Sequence, residues 1–226
     1  MQKAWRIFKK VIFFLFIFQF IYIFFCKWIN PPVTITQLTS FVKGYGLKRD
    51  YVGYDQMSPN IKLAVMASED QLFPGHDGFD MKAIEKAIKY NEKHPNRRRG
   101  ASTISQQVAK NVFLWQGGGF LRKGLEVYFT FMIEKIWSKK RILEMYLNVA
   151  ETGKGIFGVQ AASKAYFNKD AKNITRSEAA KIAASLPNPK MYTVKPISKT
   201  VQNRYDDIMR QMNNLQGDAD IQALVK

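Results

Sequence analysis

The sequence predicts a mostly α-helical protein preceded by one N-terminal transmembrane helix. An apolar run starts at Val11, apolar residues recur at helical spacing after Ser58, and segments with the alternating pattern of strands are few. The 226 residues leave room for one packed domain of roughly 150–200 residues behind that run. We expect an N-terminal tail at 1–10, a membrane anchor at 11–29, a connector at 30–57 and the folded domain at 58–226.

The anchor is predicted from its length and its flanks. Between residues 11 and 29 every side chain is apolar or aromatic except Gln19 and Lys27. About 19 helical residues span roughly 28 Å, enough to cross a bilayer core. Four basic residues precede this segment and few follow it before Lys43, so the positive-inside rule predicts a cytoplasmic N-terminus with the remainder outside. A cleaved signal peptide is the alternative, although no small-x-small cleavage site follows the segment.

Composition narrows the partners. A single cysteine and two histidines exclude a disulfide framework, a cysteine-based zinc site and a His-rich metal site. The net charge is +17, and residues 27–226 keep +13 because four of the 35 basic residues and none of the 18 acidic ones precede them. Outside the cytoplasm such a charge favours anionic lipid head groups and lipid phosphates over nucleic acid. The alternative is a charge that serves solubility alone.

Local patterns predict the elements in order. Residues 33–36 favour a strand within the connector. Ser58 followed by Pro59 starts a helix, and residues 175–178 form a capping box for an Ala-rich helix that stops before Pro187. The last 30 or so residues are predicted to form one polar helix and a frayed tail.

The first helix of the domain carries a candidate catalytic carboxylate. Ile61, Val65 and Glu69 lie on one line of the helix, so Glu69 ends an otherwise buried stripe. A partly desolvated carboxyl has a raised pKa and is suited to general acid or base chemistry. The alternative is an exposed glutamate at a helix end beside Asp70. In the loop that follows, His76 is interpreted as a hydrogen-bonded loop histidine, with a catalytic or binding role as the alternative.

The helix after Gly100 presents polar side chains free of acids. They fall on two adjoining lines at i, i+4 and i+8: Ser102, Gln106 and Lys110, beside Thr103, Gln107 and Asn111. Ser102 or Thr103 is expected to cap the helix. Such hydroxyl, amide and amine groups suit sugar hydroxyls and phosphate oxygens, whereas an ordinary solvated face usually carries Glu and Lys.

A helix at about 121–137 carries a second carboxylate. It is apolar nearly all round, so we expect a central position, with Lys123 and Glu126 close enough to pair. That pair is interpreted either as a structural ion pair or as part of an active site. The basic runs 97–99 and 139–141 are interpreted either as solvated charges or as contacts to anionic lipid.

These motifs, in their order, resemble the peptidoglycan glycosyltransferases of glycosyltransferase family 51. The resemblance starts at 69–78 and continues through 100–111 and 122–126. It extends through 139–148 and 155–167 to the Leu-Pro-Asn-Pro sequence at 186–189. No room is left for a transpeptidase domain, so we expect a monofunctional enzyme of a Gram-negative cell.

The resemblance implies a lysozyme-like head lobe and a smaller membrane-facing jaw. It implies that lipid II is polymerised at the inner membrane, with the catalytic domain in the periplasm and cell-wall synthesis machinery as a possible partner. The growing chain on undecaprenyl pyrophosphate is then the donor, and the 4-hydroxyl of the next lipid II attacks with inversion to give a β-1,4 bond. Two rival interpretations are a lysozyme-like lytic enzyme that cleaves glycan and a non-catalytic membrane scaffold.

The same resemblance implies residue roles. Glu69 is the general base, and Glu126 supports the reacting centre or a divalent cation, Mg or Mn, near the diphosphate; no organic cofactor is implied. The substrate-binding residues are expected to be Lys86, Ser102, Gln106, Gln107, Lys110, Asn111, Arg122 and Lys123. Two positions depart from the family's pattern, since Gly118 and Lys86 stand where relatives often carry arginine. We expect Glu69 and Glu126 to share one groove.

Overall fold

The computed structural model describes residues 2–95 and 99–226, and it confirms a mostly helical protein. The helices of the described residues are α1 (Gln2–Trp28), α2 (Ile35–Val42), α3 (Pro59–Glu69), α4 (Met81–Lys93), α5 (Ile104–Phe113), α6 (Phe120–Ile136), α7 (Lys139–Val149), α8 (Val159–Phe167), α9 (Arg176–Ser185), α10 (Lys199–Leu215) and α11 (Ala219–Val225). The strands are β1 (Lys48–Arg49), β2 (Glu151–Gly153) and β3 (Ile156–Phe157), and short 3-10 turns lie at Tyr54–Gln56, Phe73–Gly75 and Ala171–Asn173.

Helix α3 lies at the centre of the core. All of its side chains from Ile61 to Ala67 are buried, and α9, α10 and α11 pack around it. The predicted cap is confirmed, because the Ser58 hydroxyl accepts a hydrogen bond from the Asn60 amide and Pro59 occupies the first turn. A helix buried on this scale has little freedom to shift, so the residue at its end is held firmly.

The connector belongs to the folded domain. Strand β1 pairs in parallel with β3, and β2 pairs with β3 in antiparallel fashion, which joins residues 48–49 to the middle of the chain. The predicted strand at residues 33–36 is wrong, because Thr34 and Gln37 form a capping box that starts α2. Two satisfied backbone amides outweigh the modest strand preference of β-branched residues.

Helix α1 is the only helix of the described residues that is long and apolar enough to cross a membrane. Its C-terminal half packs against α6 and α7. The Trp137 indole donates to the Ile23 carbonyl (3.0 Å), and the Arg141 guanidinium donates twice to the Cys26 carbonyl (3.1 and 2.9 Å). Helix α1 is therefore docked on the domain through its C-terminal half, from Gln19 onward.

Helix α6 departs from the predicted central position. Its inward face carries Glu126, Thr130 and Ile133, whereas Phe120 is 99% and Leu121 77% exposed. Because α6 packs mainly on α5 and α1, its apolar outer face lies next to the helix that is long and apolar enough to cross a membrane. The prediction of a central α6 is wrong because an apolar helix surface can be covered by lipid as well as by protein, and the sequence pattern does not distinguish the two.

The C-terminus is packed and not frayed. Helix α11 buries Ile221 and Val225 against α3, and the Tyr54 hydroxyl donates to the Leu224 carbonyl. The buried Lys62 ammonium donates to the Val225 carbonyl at 3.4 Å. The short apolar pattern of 219–225 was enough to form a helix once a core surface was available to cover it.

The basic run 139–141 combines two ion pairs within the protein with one solvated charge, and the solvated interpretation holds for Lys140 alone. Lys139 bonds to Glu134 (2.8 Å), Lys140 approaches Asp55 (3.4 Å), and Arg141 bonds to Glu144 and the end of α1. Lys139 and Arg141 are therefore paired within the protein, which offsets part of the cost of placing cations at a helix N-terminus. Lys140 stays solvated, because its side chain is 54% and that of Asp55 86% exposed. In the other basic run, residues 97 and 98 lie outside the described part of the chain.

Candidate active site

A groove of about 830 Å³ opens at the C-terminal end of α3. Its walls come from the end of α3, the first turns of α5, the 186–187 loop and α10. The side chains that matter for its chemistry are Glu69, Asp80, Arg99, Ser102, Gln107, Lys110 and Arg204. Charged and amide groups thus dominate a cleft that is otherwise built on a buried helix.

Glu69 lies in this groove with both carboxylate oxygens hydrogen-bonded. The Gln107 amide donates to Oε2 (2.8 Å), and the Ser68 hydroxyl lies 3.3 Å from Oε1. The Tyr146 hydroxyl in turn donates to the Gln107 carbonyl oxygen (3.2 Å), which orients that amide. Burial raises the pKa of Glu69, and the hydrogen bond from Gln107 and the charges of Arg204 and Lys110 oppose this rise.

Asp70 joins α3 to α5. Its carboxylate accepts a hydrogen bond from the Ile104 amide (2.9 Å) at the start of α5 and lies 3.0 Å from the His76 Nε2. The second ring nitrogen of His76 accepts from the Gly78 amide (3.1 Å). His76 is therefore the hydrogen-bonded loop histidine that was predicted, and Asp70 is buried. A carboxylate at the helix N-terminus also suits the helix dipole and fixes α5 beside Glu69.

The N-terminus of α5 uses one of the predicted ligands for its own cap. Thr103 is the cap, and Gln106 completes a capping box by accepting from the Thr103 amide (3.0 Å). Gln106 is 3% exposed and is not among the groove-lining residues of the described chain. Ser102 is exposed and lines the groove. The structure thus gives Gln106 a structural role and leaves Ser102 and Gln107 to face a substrate.

Lys110 lies between two cavities. With Gln107 it lines both the groove and a neighbouring cavity of about 250 Å³, which also contains Asn111. The Asn111 side chain accepts a hydrogen bond from Gln116 (2.9 Å), which also donates to Thr36 of α2 (3.1 Å). The predicted lines of polar side chains on α5 therefore continue from the groove into a second cavity, which α2 helps to close.

Burial lowers the pKa of Lys110, and the charges around it act in both directions. The carboxylates of Glu126 and Glu69 raise it, whereas the cations Arg122 and Lys123 lower it further. The two acidic residues therefore lie near one lysine. Glu69 lines the groove, whereas Glu126 lines neither cavity of the described chain, so the expectation that the two carboxylates share one groove is not confirmed. They are linked only by the charge that each of them exerts on Lys110.

Glu126 is enclosed by two cations of its own helix. Arg122 bonds to its Oε2 (2.6 Å) and Lys123 to its Oε1, as the helical spacing predicted for Lys123. Glu126 is 3% exposed, while the Lys123 side chain is 47% exposed. Lys123 is thus accessible to a ligand, and its ion pair with Glu126, which Arg122 also binds, holds it in place.

The two departures from the family's pattern lie on the surface. Lys86 is exposed on α4 and is not part of the lining of either cavity in the described chain. Gly118 has a positive φ of +99°, and a Cβ there would approach the Arg122 side chain at 3.2 Å. A side chain at position 118 is therefore disfavoured by backbone conformation as well as by space.

The residues present fit a divalent cation poorly. The described residues contain no group of three or more His, Cys, Asp or Glu side chains placed to hold one. Both oxygens of Glu126 already meet cations, so a metal would have to displace a salt bridge. The expected Mg or Mn near the diphosphate stays a prediction, and no step below depends on it.

Sequence reasoning missed Ser68, Tyr146 and Arg204. Ser68 and Tyr146 bracket the Glu69–Gln107 pair, and burial raises the pKa of the Tyr146 phenol well above its ordinary value, which keeps it a donor. Ser68 stands next to Glu69 in the chain, so its proximity was available as a signal. Arg204 comes from α10 and contacts Ser68, which lies 136 positions earlier in the chain, and no local sequence pattern predicts a contact over that distance.

Comparison with known proteins identifies the family of this chain. A family model described as transglycosylase matches residues 35–213. The biosynthetic peptidoglycan transglycosylase of Mannheimia succiniciproducens is 58% identical over 171 residues, which cover 76% of this chain and 70% of that protein. The protein of the same name from Haemophilus influenzae is 57% identical over 76% of this chain and 70% of its own length. The one from Escherichia coli K12 is 54% identical over 80% of this chain and 76% of its own length. This chain therefore belongs to the family of peptidoglycan transglycosylases, whose members are glycosyltransferases.

Proposed function

We propose that this protein polymerises lipid II into linear glycan strands by inverting transfer. One observation carries the proposal: a half-buried carboxyl, Glu69, faces an open groove that Lys110 also lines, and the charge of Lys110 acts on it. A carboxyl with a raised pKa is a better proton acceptor than a solvated one, provided it is ionised when substrate arrives. The cations beside it favour that ionised form.

In the proposed reaction Glu69 takes the proton of the acceptor 4-hydroxyl. That oxygen bonds to C1 of the sugar at the end of the growing chain, and the C1–oxygen bond to undecaprenyl pyrophosphate breaks. The electron pair leaves with the diphosphate, so negative charge builds up on the departing oxygens. The β-1,4 bond forms on the face opposite the α-linked leaving group, which accounts for inversion.

The leaving diphosphate is assigned to the cations near Lys110. Lys110 lines both cavities, and Lys123 is the exposed member of the Glu126 cluster. Stabilising the charge that develops on a leaving group is usually the largest catalytic contribution. Arg122 and Glu126 then orient Lys123, while Ser102, Gln107 and Asn111 offer hydrogen bonds to sugar or phosphate oxygens.

Two apolar surfaces support the proposed membrane location. Helix α1 suits a single-pass anchor, and the apolar outer face of α6 lies beside it. We place the N-terminus in the cytoplasm and the domain on the periplasmic face of the inner membrane, where lipid II is presented with its diphosphate at the bilayer surface. The net charge of residues 27–226 favours contact with anionic head groups.

A lipid II polymerisation assay tests the proposal. The purified full chain in detergent is expected to convert lipid II into long glycan strands, and Glu69→Gln is expected to lower the rate at least about 100-fold. Glu85→Gln is the matched control, because Glu85 is exposed and pairs only with Lys89 on the surface of α4. Retained activity in Glu69→Gln would remove Glu69 from the mechanism.

Two further arms separate the rival activities. Incubation with isolated sacculi is expected to release no soluble fragments, whereas a lytic enzyme would shorten their strands. Addition of EDTA tests the divalent cation, and an unchanged rate would assign charge neutralisation to the lysines and arginines alone. A folded wild-type chain that neither polymerises nor cleaves would support the scaffold interpretation.

A further inference from the structure

Arg204 on α10 reaches the catalytic groove from outside the motifs that define the family resemblance. Its side chain lines the groove together with Glu69, although it stands 15 positions beyond Pro189, where that resemblance ends. Helix α10 packs on both α3 and α9, so its position relative to Glu69 is fixed by the core. This placement calls for an explanation, because Arg204 is half-buried and its Nε is buried without a hydrogen-bond partner among the described residues.

The guanidinium is linked to Glu69 through one hydroxyl. Arg204 Nη2 donates to Ser68 Oγ (3.2 Å), and that hydroxyl lies 3.3 Å from both Glu69 Oε1 and the Ala183 carbonyl. The hydroxyl has one proton to share between two acceptors, so the relay to Glu69 is adjustable. With Arg204 as donor, the Ser68 proton is directed away from the guanidinium and toward those acceptors.

No acidic residue of the described chain forms a salt bridge with Arg204. Asp207, one turn further along α10, bonds instead to Arg210 (2.5 Å). The Arg204 Nε is buried and has no hydrogen-bond partner among the described residues. Its positive charge is therefore not cancelled locally, and Glu69 is the acidic residue to which the Ser68 bridge connects it.

We propose that Arg204 is a positioning residue, which keeps the Glu69 carboxylate ionised and aimed into the groove through Ser68. The proposal deepens the assigned function, because it rests on Glu69 acting as the base. Arg204 does not need to touch substrate for this. It supplies from α10 a charge that opposes the burial of Glu69, as its lowering effect on the Glu69 pKa supports.

Other groups also act on Glu69 and must stay constant in any test. The charged and titratable groups that surround it are Asp70 of α3, Asp80 before α4, Arg99 before α5, Lys110 of α5, Tyr146 of α7 and Arg204 of α10. Lys110 is the other cation that lowers the Glu69 pKa, but it is also assigned to the substrate diphosphate. Arg204 is therefore the better residue to vary.

The test compares Arg204→Gln with Arg210→Gln. Both variants remove one positive charge from α10, but Arg210 is exposed and faces Asp207. In Arg204→Gln the acid limb of the rate–pH profile for lipid II is expected to move up by about one pH unit, so that the rate on that limb falls about tenfold while the plateau is kept. Arg204→Lys is expected to restore most of the shift, and Arg210→Gln to leave the profile unchanged.

A second measurement does not depend on lipid II. Infrared difference titration of the full chain, with Glu69→Gln used to identify the Glu69 carboxyl band, is expected to show ionisation at higher pH in Arg204→Gln than in the wild type. Ser68→Ala is expected to shift the pH at which that band titrates in the same direction. This variant replaces Arg204→Gln in the test if Arg204→Gln does not fold. A wild type inactive on lipid II would contradict the proposed function, while the band shift would still report on Arg204.

Three results would overturn the inference. One is a Glu69 band that titrates alike in the wild type, Arg204→Gln and Ser68→Ala. Another is an equal shift in Arg210→Gln, which would indicate a general charge effect of α10. The third is a uniform loss of rate at every pH that Arg204→Lys does not rescue, because that pattern belongs to a purely structural role.

Discussion

Glu69 should reduce the stability of the folded protein wherever it is ionised. Its pKa in the folded state lies above the ordinary value of 4.5, because burial disfavours the charged form. Below the ordinary value both states are protonated, and the residue contributes nothing. As pH rises through the raised pKa, the folded state loses about 1.4 kcal/mol for each unit by which the two values differ.

Glu69→Gln removes this pH-dependent loss. Glutamine has nearly the shape of the protonated acid, so the variant should match the wild type at low pH and become more stable than it as pH rises. The gain should level off once Glu69 is fully ionised in the wild type. The measurement is thermal unfolding of the full chain in detergent micelles from about pH 4 to pH 9, followed by circular dichroism.

Glu178→Gln supplies a control of opposite sign. Burial acts to raise the pKa of Glu178, but hydrogen bonds from Lys169 and the Thr175 cap outweigh it, and the pKa lies below its ordinary value. Its stabilising contribution is therefore present above that ordinary value and is lost as pH falls through the lowered one. Glu178→Gln should thus lose stability near neutral pH. A Glu69→Gln difference that is flat with pH, or that falls as pH rises, would refute the reasoning.

Two structural predictions concern the anchor and the sheet. Arg141→Ala should lower the free energy of unfolding of the full chain by about 2–4 kcal/mol, since it removes buried charge-assisted hydrogen bonds to the end of α1. Lys140→Ala should cost under about 1 kcal/mol, and equal losses in the same melting experiment would contradict the docking of α1. Gly155→Ala should cost at least about 2 kcal/mol, because φ is +71° and a Cβ would lie 2.1 Å from the Tyr45 carbonyl oxygen. Gly53→Ala meets nothing within 4 Å and should be nearly neutral; a similar loss in both would show that the close approach is not decisive.

Elements with local signals were predictable from the sequence. The Ser58 cap, the Thr103 cap and the capping box of Thr175 and Glu178 all form as their side chains suggest. The connector helix carried a readable signal as well, since Thr34 and Gln37 have capping-box spacing that the strand preference of residues 33–36 obscured. Caps are decided within one turn of chain, so sequence alone is sufficient for them.

Features that depend on what lies opposite a helix were not predictable in the same way. The period of α6 locates a polar stripe around Glu126, but it does not say whether that stripe faces protein or water. The position of Gln106 in the sequence fits both a substrate-binding residue and the third residue of a capping box. It caps the helix, because the buried Thr103 amide needs an acceptor and the Gln106 side chain provides one. Arg204 lies far along the chain from Glu69, so only packing brings the two together.

Lys110 links proton acceptance to binding of the leaving group. In the free protein its charge lowers the pKa of Glu69, against the effect of burial. A diphosphate seated on Lys110 would neutralise that charge and add its own, so the pKa of Glu69 should rise when substrate binds. The base then becomes stronger at the stage when the hydroxyl proton must be removed.

This coupling predicts a difference between two pH profiles. The acid limb of kcat reports Glu69 in the substrate complex, and that of kcat/KM reports it in the free protein, so the kcat limb should lie at higher pH. In Lys110→Met the free protein loses the cation at the outset, and the two limbs should move closer together. Coincident limbs in the wild type, or a kcat limb at lower pH, would show that Lys110 and Glu69 act independently of each other.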